Sequence, residues 1–144
     1  MPLKKPDPKE PPPLRVLAAV LEKNDRWLIA KRSGGDRFAG RWEFPGGKLE
    51  QGETPQECLA REISEELSIR IRVGRCLGSV QYSQPGFAIE LTAYQASHLA
   101  GALRLQDHEE VRWVSPGEIG HFALTEPDRL LLEILLAGRA REEK

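Results

Sequence analysis

The sequence has few cysteines, no excess of charge of one sign and no long apolar run. Its two cysteines, Cys58 and Cys76, are too few for a disulfide framework and do not form the CxxC pair typical of zinc or redox sites. We therefore expect two buried or half-buried thiols. The 21 Lys and Arg residues against 22 Asp and Glu residues give a net charge of −1, which argues against binding nucleic acid or an anionic membrane through bulk positive charge.

The longest clean apolar run, Val16 to Leu21, is far shorter than the ~20 residues that cross a bilayer, so no transmembrane helix is predicted. The first thirteen residues, MPLKKPDPKEPPP, lack the apolar stretch of a secretory signal and are rich in proline and charge. These features favour a flexible tail at residues 1–13 and one domain at residues 14–144, in a cytoplasmic protein.

Short apolar runs and turn residues predict the order of strands and helices. The runs at residues 16–21 and 27–30 flank Asn24-Asp25, which favours an antiparallel hairpin. A glycine-rich loop follows at residues 33–41, then a short extended piece at 42–44. Further strands are predicted at residues 69–82, 87–97 and 111–114, and a last helix at 127–140. This order predicts a mixed α/β layer fold.

The segment that begins at Thr54 carries the clearest helix signal. Thr54 suits the N-cap, Pro55 the first helical position, and Glu57 completes a capping box. Apolar residues then recur every four positions and define a stripe that faces the core. The stripe consists of Leu59, Ile63 and Leu67.

Glu62, Glu65 and Glu66 lie together on a neighbouring face of this helix. Like charges at this spacing destabilise a helix, so stability does not favour the arrangement. One interpretation is a solvated acidic face. The other is a Mg²⁺ site, because hard cations bind carboxylates together with substrate phosphates and water. The glycine-rich stretch at residues 46–53, which is also compatible with an ordinary turn, allows the backbone to approach a metal or phosphate closely.

Gly47, Glu53 and the run from Arg61 to Ile69 resemble the Nudix hydrolase signature, G-x5-E-x7-R-E-U-x-E-E-x-G-U, where U is apolar. Every fixed position matches except Ser68, where the signature has glycine. That glycine normally ends the helix in a left-handed conformation. Ser68 therefore predicts either a cost of ~1 kcal/mol or a different helix cap.

The resemblance covers residues 14–137 and is carried further by Trp42 to Lys48 and by Leu124 to Pro127, which are similar to MutT-like nucleoside triphosphate pyrophosphohydrolases. It implies a Nudix fold of class α/β, with a mixed β-sheet sandwiched between α-helices. It also implies hydrolysis of a (deoxy)nucleoside triphosphate to monophosphate and pyrophosphate, with Mg²⁺, or alternatively Mn²⁺, as cofactor. Besides the nucleotide, we expect no nucleic acid or membrane partner, and either a monomer or a homodimer is compatible with the sequence.

Two alternatives to this activity stay open on the sequence alone. One keeps the chemistry but changes the substrate to ADP-ribose or a dinucleoside polyphosphate. The other is a non-catalytic nucleotide sensor on the same scaffold, which the intact glutamates Glu62, Glu65 and Glu66 disfavour.

The resemblance implies the metal ligands. Glu62, Glu65 and Glu66 would hold the metal, with a carbonyl of Gly46 or Gly47, and Glu62 or a loop carboxylate would position or deprotonate the water. A bidentate pair between Glu53 and Arg61 would hold the loop against the helix.

The segment before the last strand offers further candidates. An additional metal ligand is expected from Asp107, Glu109 or Glu110, unless these are solvated charges. Because Mg²⁺ prefers oxygen, we expect His108 and His121 to be surface or packing residues.

The resemblance also implies how the nucleotide is bound. Arg32 and Arg37 match positions that contact phosphate or sugar, although each is also compatible with an exposed charge. The backbone of Glu43 and Phe44 would face the base, and Phe44 or Trp42 would stack on it unless these rings belong to the core. Thr125 stands where enzymes specific for oxidised guanine carry asparagine, and a hydroxyl cannot reproduce an amide's paired donor and acceptor. The choice between 8-oxo-dGTP and CTP or a modified pyrimidine triphosphate therefore stays open.

Overall fold

The computed structural model describes residues 12–35 and 37–142. Residues 1–11, most of the tail predicted at residues 1–13, lie outside the described residues. The regular elements are β1 (Leu14–Lys23), β2 (Arg26–Arg32), β3 (Trp42–Glu43), β4 (Gly46–Lys48), α1 (Pro55–Leu67), β5 (Arg70–Gln84), β6 (Phe87–Ala100), β7 (His108–Val114) and α2 (Glu126–Glu142), with a 3₁₀ turn at Pro116–His121. Within the described ranges, no helix is long and apolar enough to cross a membrane.

Strand β1 lies in the middle of a mixed sheet. It pairs in parallel with β6 along most of its length and antiparallel with β2 and β4. Strand β5 extends the sheet antiparallel to β6, and β3 and β7 both pair antiparallel with β2. The predicted hairpin between β1 and β2 is confirmed, and its turn residues Asn24 and Asp25 both have a positive φ.

The two helices cover opposite faces of this sheet. Because side chains alternate along a strand, Leu17 and Leu21 of β1 pack in one buried cluster with the stripe of α1. Ala18 and Val20 pack in a second cluster with Leu131, Leu132 and Leu135 of α2. The predicted α/β architecture, a mixed sheet between helices, is confirmed.

Helix α1 has a defined cap at each end, at Thr54 and at Ser68. The hydroxyl of Thr54 accepts the backbone N–H of Glu57 at 3.1 Å, and the Glu57 carboxylate accepts the N–H of Thr54 at 3.0 Å. This is the predicted capping box. At the other end Ser68 has φ 60° and ψ 27°, the left-handed cap that the signature assigns to glycine.

Strand β4 was not predicted, because its sequence is Gly46-Gly47-Lys48. It pairs antiparallel with residues 16–18 of β1. A Cβ on Gly46 would lie 1.9 Å from the carbonyl oxygen of Leu17, so only glycine fits at this contact. Strand pairing therefore overrides the turn propensity of glycine here.

The two cysteines differ in their surroundings. Cys58 is buried, as expected, and burial raises the pKa of its thiol to about 12. Cys76 is exposed on β5, so the expectation of a buried or half-buried thiol is wrong there.

Candidate active site

Arg61 of α1 holds the loop at residues 49–54 through Glu53. Its Nε donates to Glu53 Oε2 at 2.7 Å and its Nη2 donates to Glu53 Oε1 at 3.0 Å, so the expected bidentate pair is present. The hydrogen bond from Arg61 lowers the pKa of Glu53 to about 2. The loop is therefore tied to the helix that carries the three glutamates.

Of the three glutamates of α1, Glu62 and Glu65 approach Arg61, whereas Glu66 does not. Glu62 Oε1 accepts a hydrogen bond from Arg61 Nη1 at 2.8 Å, and Glu65 Oε2 lies 3.6 Å from the same atom with its side chain 60% exposed. The Glu66 side chain is turned inward instead. In the part of the chain that the structure describes, no three carboxylate, imidazole or thiol groups are already gathered as a metal site.

The Glu66 carboxyl group is buried among other carboxylates. Burial, and then the negative charges of Glu43 and Glu62, raise its pKa to about 8. Its Oε2 is buried and has no hydrogen-bond partner among residues 12–35 and 37–142. A buried carboxylate without a countercharge is unfavourable, and a bound cation removes the penalty. This group therefore fits a divalent metal.

The backbone of β4 lies directly against these carboxylates. A Cβ on Gly47 would come within 2.2 Å of Cδ of Glu62, and a hydrogen bond from the backbone of Gly46 lowers the pKa of Glu66. Neither glycine has a positive φ. Close approach, not a left-handed conformation, therefore explains Gly46 and Gly47, whereas Gly52 further along the stretch has a positive φ of 82°.

A cavity of about 400 Å³ lies beside Glu66, within the size range of small-molecule sites. We call it the larger cavity, to distinguish it from an adjoining cavity of about 350 Å³ described below. All five residues predicted to bind substrate line it, namely Arg32, Arg37, Glu43, Phe44 and Thr125. Its other lining residues include Phe38, Gly46, Gly47, Glu66, Phe87 and Asp128. Residues distant in sequence thus share one pocket with a glutamate of α1.

Asp128 at the start of α2 is buried in this cavity wall. Its Oδ1 accepts the backbone N–H of Phe44 at 3.0 Å, and its Oδ2 accepts the hydroxyl of Thr125 at 2.5 Å. Burial, followed by the negative charge of Glu43, raises the pKa of Asp128 to about 7. The N–H of Phe44 therefore already has an acceptor within the protein.

The aromatic residues divide between core and cavity. Trp42 is buried and packs edge-on against Phe122 with ring centroids 5.2 Å apart, so it belongs to the core. Phe44 is also buried, packs edge-on against Trp27 and lines the cavity. The half-buried ring of Phe87 lines the cavity too, at the start of β6.

Arg37 spans from the glycine-rich loop to the tip of the β5–β6 hairpin. Its guanidinium lies 4.0 Å from the ring centroid of Phe87, and its Nη1 donates to Gln84 Oε1 at 3.0 Å. Phe38 contacts the same ring, with centroids 6.2 Å apart. The loop and the hairpin thus meet at one edge of the larger cavity.

A smaller cavity of about 350 Å³ adjoins the first and shares Arg32, Glu43 and Glu66 with it. Asp107 and His108 also line it. Among the three acidic candidates before the last strand, Asp107 therefore lies beside Glu66 and raises its pKa. The other two form surface ion pairs, Glu109 with Lys31 and Glu110 with Arg112.

Glu43 lies between the two cavities. Its Oε1 accepts from Arg32 Nη1 at 3.0 Å, and its Oε2 lies 3.0 Å from His108 Nε2. The His108 side chain is only 5% exposed, so of the two histidines expected at the surface or in packing, this one is an interior residue with a carboxylate partner. His121 is 77% exposed, as expected of a surface residue.

Sequence reasoning did not place Asp128 and Phe87 in the wall of the larger cavity or His108 in the wall of the smaller one. Asp128 lies at the start of a helix, where acidic residues are common, so its position in the sequence does not mark it as a site residue. Phe87 has the sequence context of an ordinary strand residue. For His108, the sequence shows only the residue type and not the short distance to Glu43, so a packing role was the natural expectation.

Comparison with known proteins identifies the family. A family model described as "NUDIX domain" matches residues 11–134. The chain is 37% identical to the CTP pyrophosphohydrolase of Escherichia coli (strain K12), over 88% of this chain and 94% of that protein. It is 36% identical to the putative 8-oxo-dGTP diphosphatase 2 of Mycobacterium tuberculosis (strain CDC 1551 / Oshkosh), over 72% of this chain and 74% of that protein.

A solved structure agrees with these matches. The solution structure of the E. coli ORF135 protein superposes with a TM-score of 0.81 at 37% identity, covering 89% of this chain and 91% of the other. The chain therefore belongs to the NUDIX domain family and is a MutT-like Nudix hydrolase.

Proposed function

We propose that the protein hydrolyses (deoxy)nucleoside triphosphates to monophosphate and pyrophosphate with the help of a divalent metal, in the removal of damaged or surplus nucleotides. The observation that carries this proposal is the position of Glu66, a buried carboxylate at the junction of two cavities, whose Oε2 has no hydrogen-bond partner among the described residues. The relatives named CTP pyrophosphohydrolase and 8-oxo-dGTP diphosphatase support a triphosphate substrate. Candidate substrates are CTP, a modified pyrimidine triphosphate and 8-oxo-dGTP.

The donor set fits Mg²⁺, with Mn²⁺ as an alternative. Glu62, Glu65, Glu66 and Asp107, with the carbonyl of Gly46, would supply the oxygen ligands that hard cations prefer. When bound, the metal neutralises phosphate charge and lowers the pKa of a coordinated water. The unbalanced negative charge around Glu66 supports this assignment.

Arg61, Glu62 and Glu65 of α1 have different roles in this proposal. Arg61 binds Glu53 and thereby fixes the loop against the helix, so that Glu62 and Glu65 keep their positions. Glu62, which lies against Gly47, positions or deprotonates the attacking water, and Asp107 in the smaller cavity is the other candidate for this step. Glu65 acts beside Glu62 as a ligand.

The larger cavity would bind the nucleoside. Arg32, which lines both cavities, suits a phosphate oxygen, and Arg37 at the edge suits the sugar or a phosphate. Phe44 and Phe87 offer ring surfaces against which a base can pack. Asp128, whose raised pKa of about 7 keeps a substantial protonated fraction near neutral pH, offers both a donor and an acceptor to a base edge, with Thr125 as its hydroxyl partner.

The test is pyrophosphate release in Mg²⁺ from 8-oxo-dGTP, dGTP, CTP, dCTP and 5-methyl-dCTP, with ADP-ribose included as an alternative substrate. We expect pyrophosphate from at least one triphosphate, with a preference for one base. Exclusive consumption of ADP-ribose, to AMP and ribose phosphate, would contradict the triphosphate assignment but keep the hydrolase class. Tight nucleotide binding without turnover would favour a sensor.

A further inference from the structure

His108 lines the smaller cavity and contacts the carboxylate of Glu43, which lines both cavities. Its Nε2 is 3.0 Å from Glu43 Oε2. Because a carboxylate can only accept, Nε2 carries the hydrogen of this bond. The other oxygen, Glu43 Oε1, accepts from Arg32 Nη1 at 3.0 Å. Two donors from different strands, β2 and β7, therefore hold the two oxygens of one carboxylate.

Packing alone does not explain a histidine at this position. The His108 side chain is almost fully buried, and its Nδ1 is buried without a hydrogen-bond partner among the described residues. An unpaired ring nitrogen in the interior is unfavourable, and an apolar side chain would avoid the penalty. The contact that offsets this penalty is the one from Nε2 to Glu43.

Glu43 lies where its negative charge would repel the phosphates of a substrate if the carboxylate could rotate freely. It lines both cavities together with Arg32 and Glu66. A carboxylate that rotated freely into either cavity would repel phosphate oxygens and would compete for Arg32. Restraint by Arg32 alone would weaken whenever Arg32 turned toward a phosphate, whereas His108 holds the carboxylate from the other side.

We propose that His108 is a positioning residue that keeps the Glu43 carboxylate in the wall between the two cavities, so that the phosphates of the substrate can enter and Arg32 can contact them. This inference rests on the proposed triphosphate hydrolysis. It assigns to His108 an effect on substrate binding, because the residue acts on the entry of phosphates and not on the attacking water.

The test compares His108→Gln with His108→Asn by steady-state kinetics of pyrophosphate release. The amide nitrogen of glutamine takes roughly the place of Nε2 and keeps a donor for Glu43, whereas asparagine is one methylene too short. We expect His108→Gln to keep KM within threefold of the wild type. We expect His108→Asn to raise KM about tenfold with kcat changed less than threefold. His121→Asn, at an exposed histidine with its own carboxylate neighbour, Glu118, serves as the control.

A double-mutant cycle separates positioning from general structural damage. In a Glu43→Gln background, where no charge needs restraint, we expect His108→Asn to change KM less than twofold. The same tenfold change in both backgrounds, or equal KM values for His108→Gln and His108→Asn, would overturn the inference.

Another pair of variants covers the case in which His108→Asn does not fold. Glu43→Asp keeps the charge but shortens its reach to His108, and Glu43→Gln removes the charge. We expect the higher KM in Glu43→Asp, and a higher KM in Glu43→Gln would contradict the inference. If the wild type releases no pyrophosphate from any triphosphate, the proposed function fails and this inference fails with it. An active wild type whose KM is insensitive to these changes overturns the inference alone.

Discussion

Thr125 and Asp128 bind each other through both side chain and backbone. The Thr125 hydroxyl donates to Asp128 Oδ2 at 2.5 Å and accepts the backbone N–H of Asp128 at 3.2 Å. Thr125 therefore caps the first turn of α2 while it fixes a buried carboxyl group in the wall of the larger cavity. One residue thus links the start of a helix to the site proposed for base recognition.

Thr125→Asn is expected to change the preference among bases. Asparagine is also a good helix cap, so the melting temperature should fall by only a few degrees. Its amide adds a paired donor and acceptor, which should raise kcat/KM for 8-oxo-dGTP relative to CTP at least fivefold. Thr125→Ser is the control, and an unchanged substrate ranking in Thr125→Asn would show that position 125 does not contact the base.

The pH dependence of stability should depend on Asp128. Its pKa is raised from 3.8 to about 7, mainly by burial. The stability that the protonated carboxyl group contributes is therefore fully present below pH 3.8 and is lost as pH rises through about 7. The wild type should therefore lose stability relative to Asp128→Asn between about pH 4 and 7, by an amount on the order of a few kcal/mol, and the difference should level off above about pH 7. Urea unfolding of both proteins across this range measures the difference, and parallel profiles would contradict it.

Ser68→Gly should stabilise the protein by about 0.5–1 kcal/mol. The reason is the left-handed conformation of Ser68, which glycine adopts without strain. Part of the gain is offset because the Ser68 hydroxyl accepts from Gln106 Nε2 at 3.1 Å. Urea unfolding is the measurement, with Ser64→Gly as a control that should destabilise the middle of α1 by about 0.5 kcal/mol. Lower stability in Ser68→Gly would show that the lost contact outweighs the relieved strain.

Arg61→Lys should reduce kcat at least tenfold. A lysine keeps the charge but cannot donate two parallel hydrogen bonds to Glu53 while it also contacts Glu62. The loop at residues 49–54 would lose its fixed position against α1. Steady-state kinetics check this, with Arg141→Lys at the exposed end of α2 as the matched control. Equal kcat values in both variants would remove the positioning role of Arg61.

Most of the fold could be predicted because local signals and tertiary packing agree. The capping box at Thr54, the stripe of Leu59, Ile63 and Leu67 and the Asn24-Asp25 turn all have local causes, and the structure contains each of them. Strand β4 could not be predicted, since its only reason is pairing with β1 across a contact that excludes a side chain.

The contacts of the candidate site that form within one helix and its adjoining loop could be predicted from the sequence. The contacts between distant segments could not. The spacing of Glu53 and Arg61 predicts their pair. In contrast, the contact between Asp128 and the N–H of Phe44 joins residues 84 positions apart. The pair of His108 and Glu43 spans 65 positions, and nothing in the local sequence of either residue indicates the other.

The most direct test of the central claim is pyrophosphate release by Glu66→Gln in Mg²⁺, measured beside the wild type and Glu133→Gln, a change at an exposed residue of α2. We expect Glu66→Gln to lose at least 100-fold in kcat and to keep or raise its melting temperature, because the change removes a metal ligand and a buried carboxyl group that is costly to ionise. Glu133→Gln should stay within twofold of the wild type. A folded Glu66→Gln that retains more than a third of the wild-type rate would contradict the account.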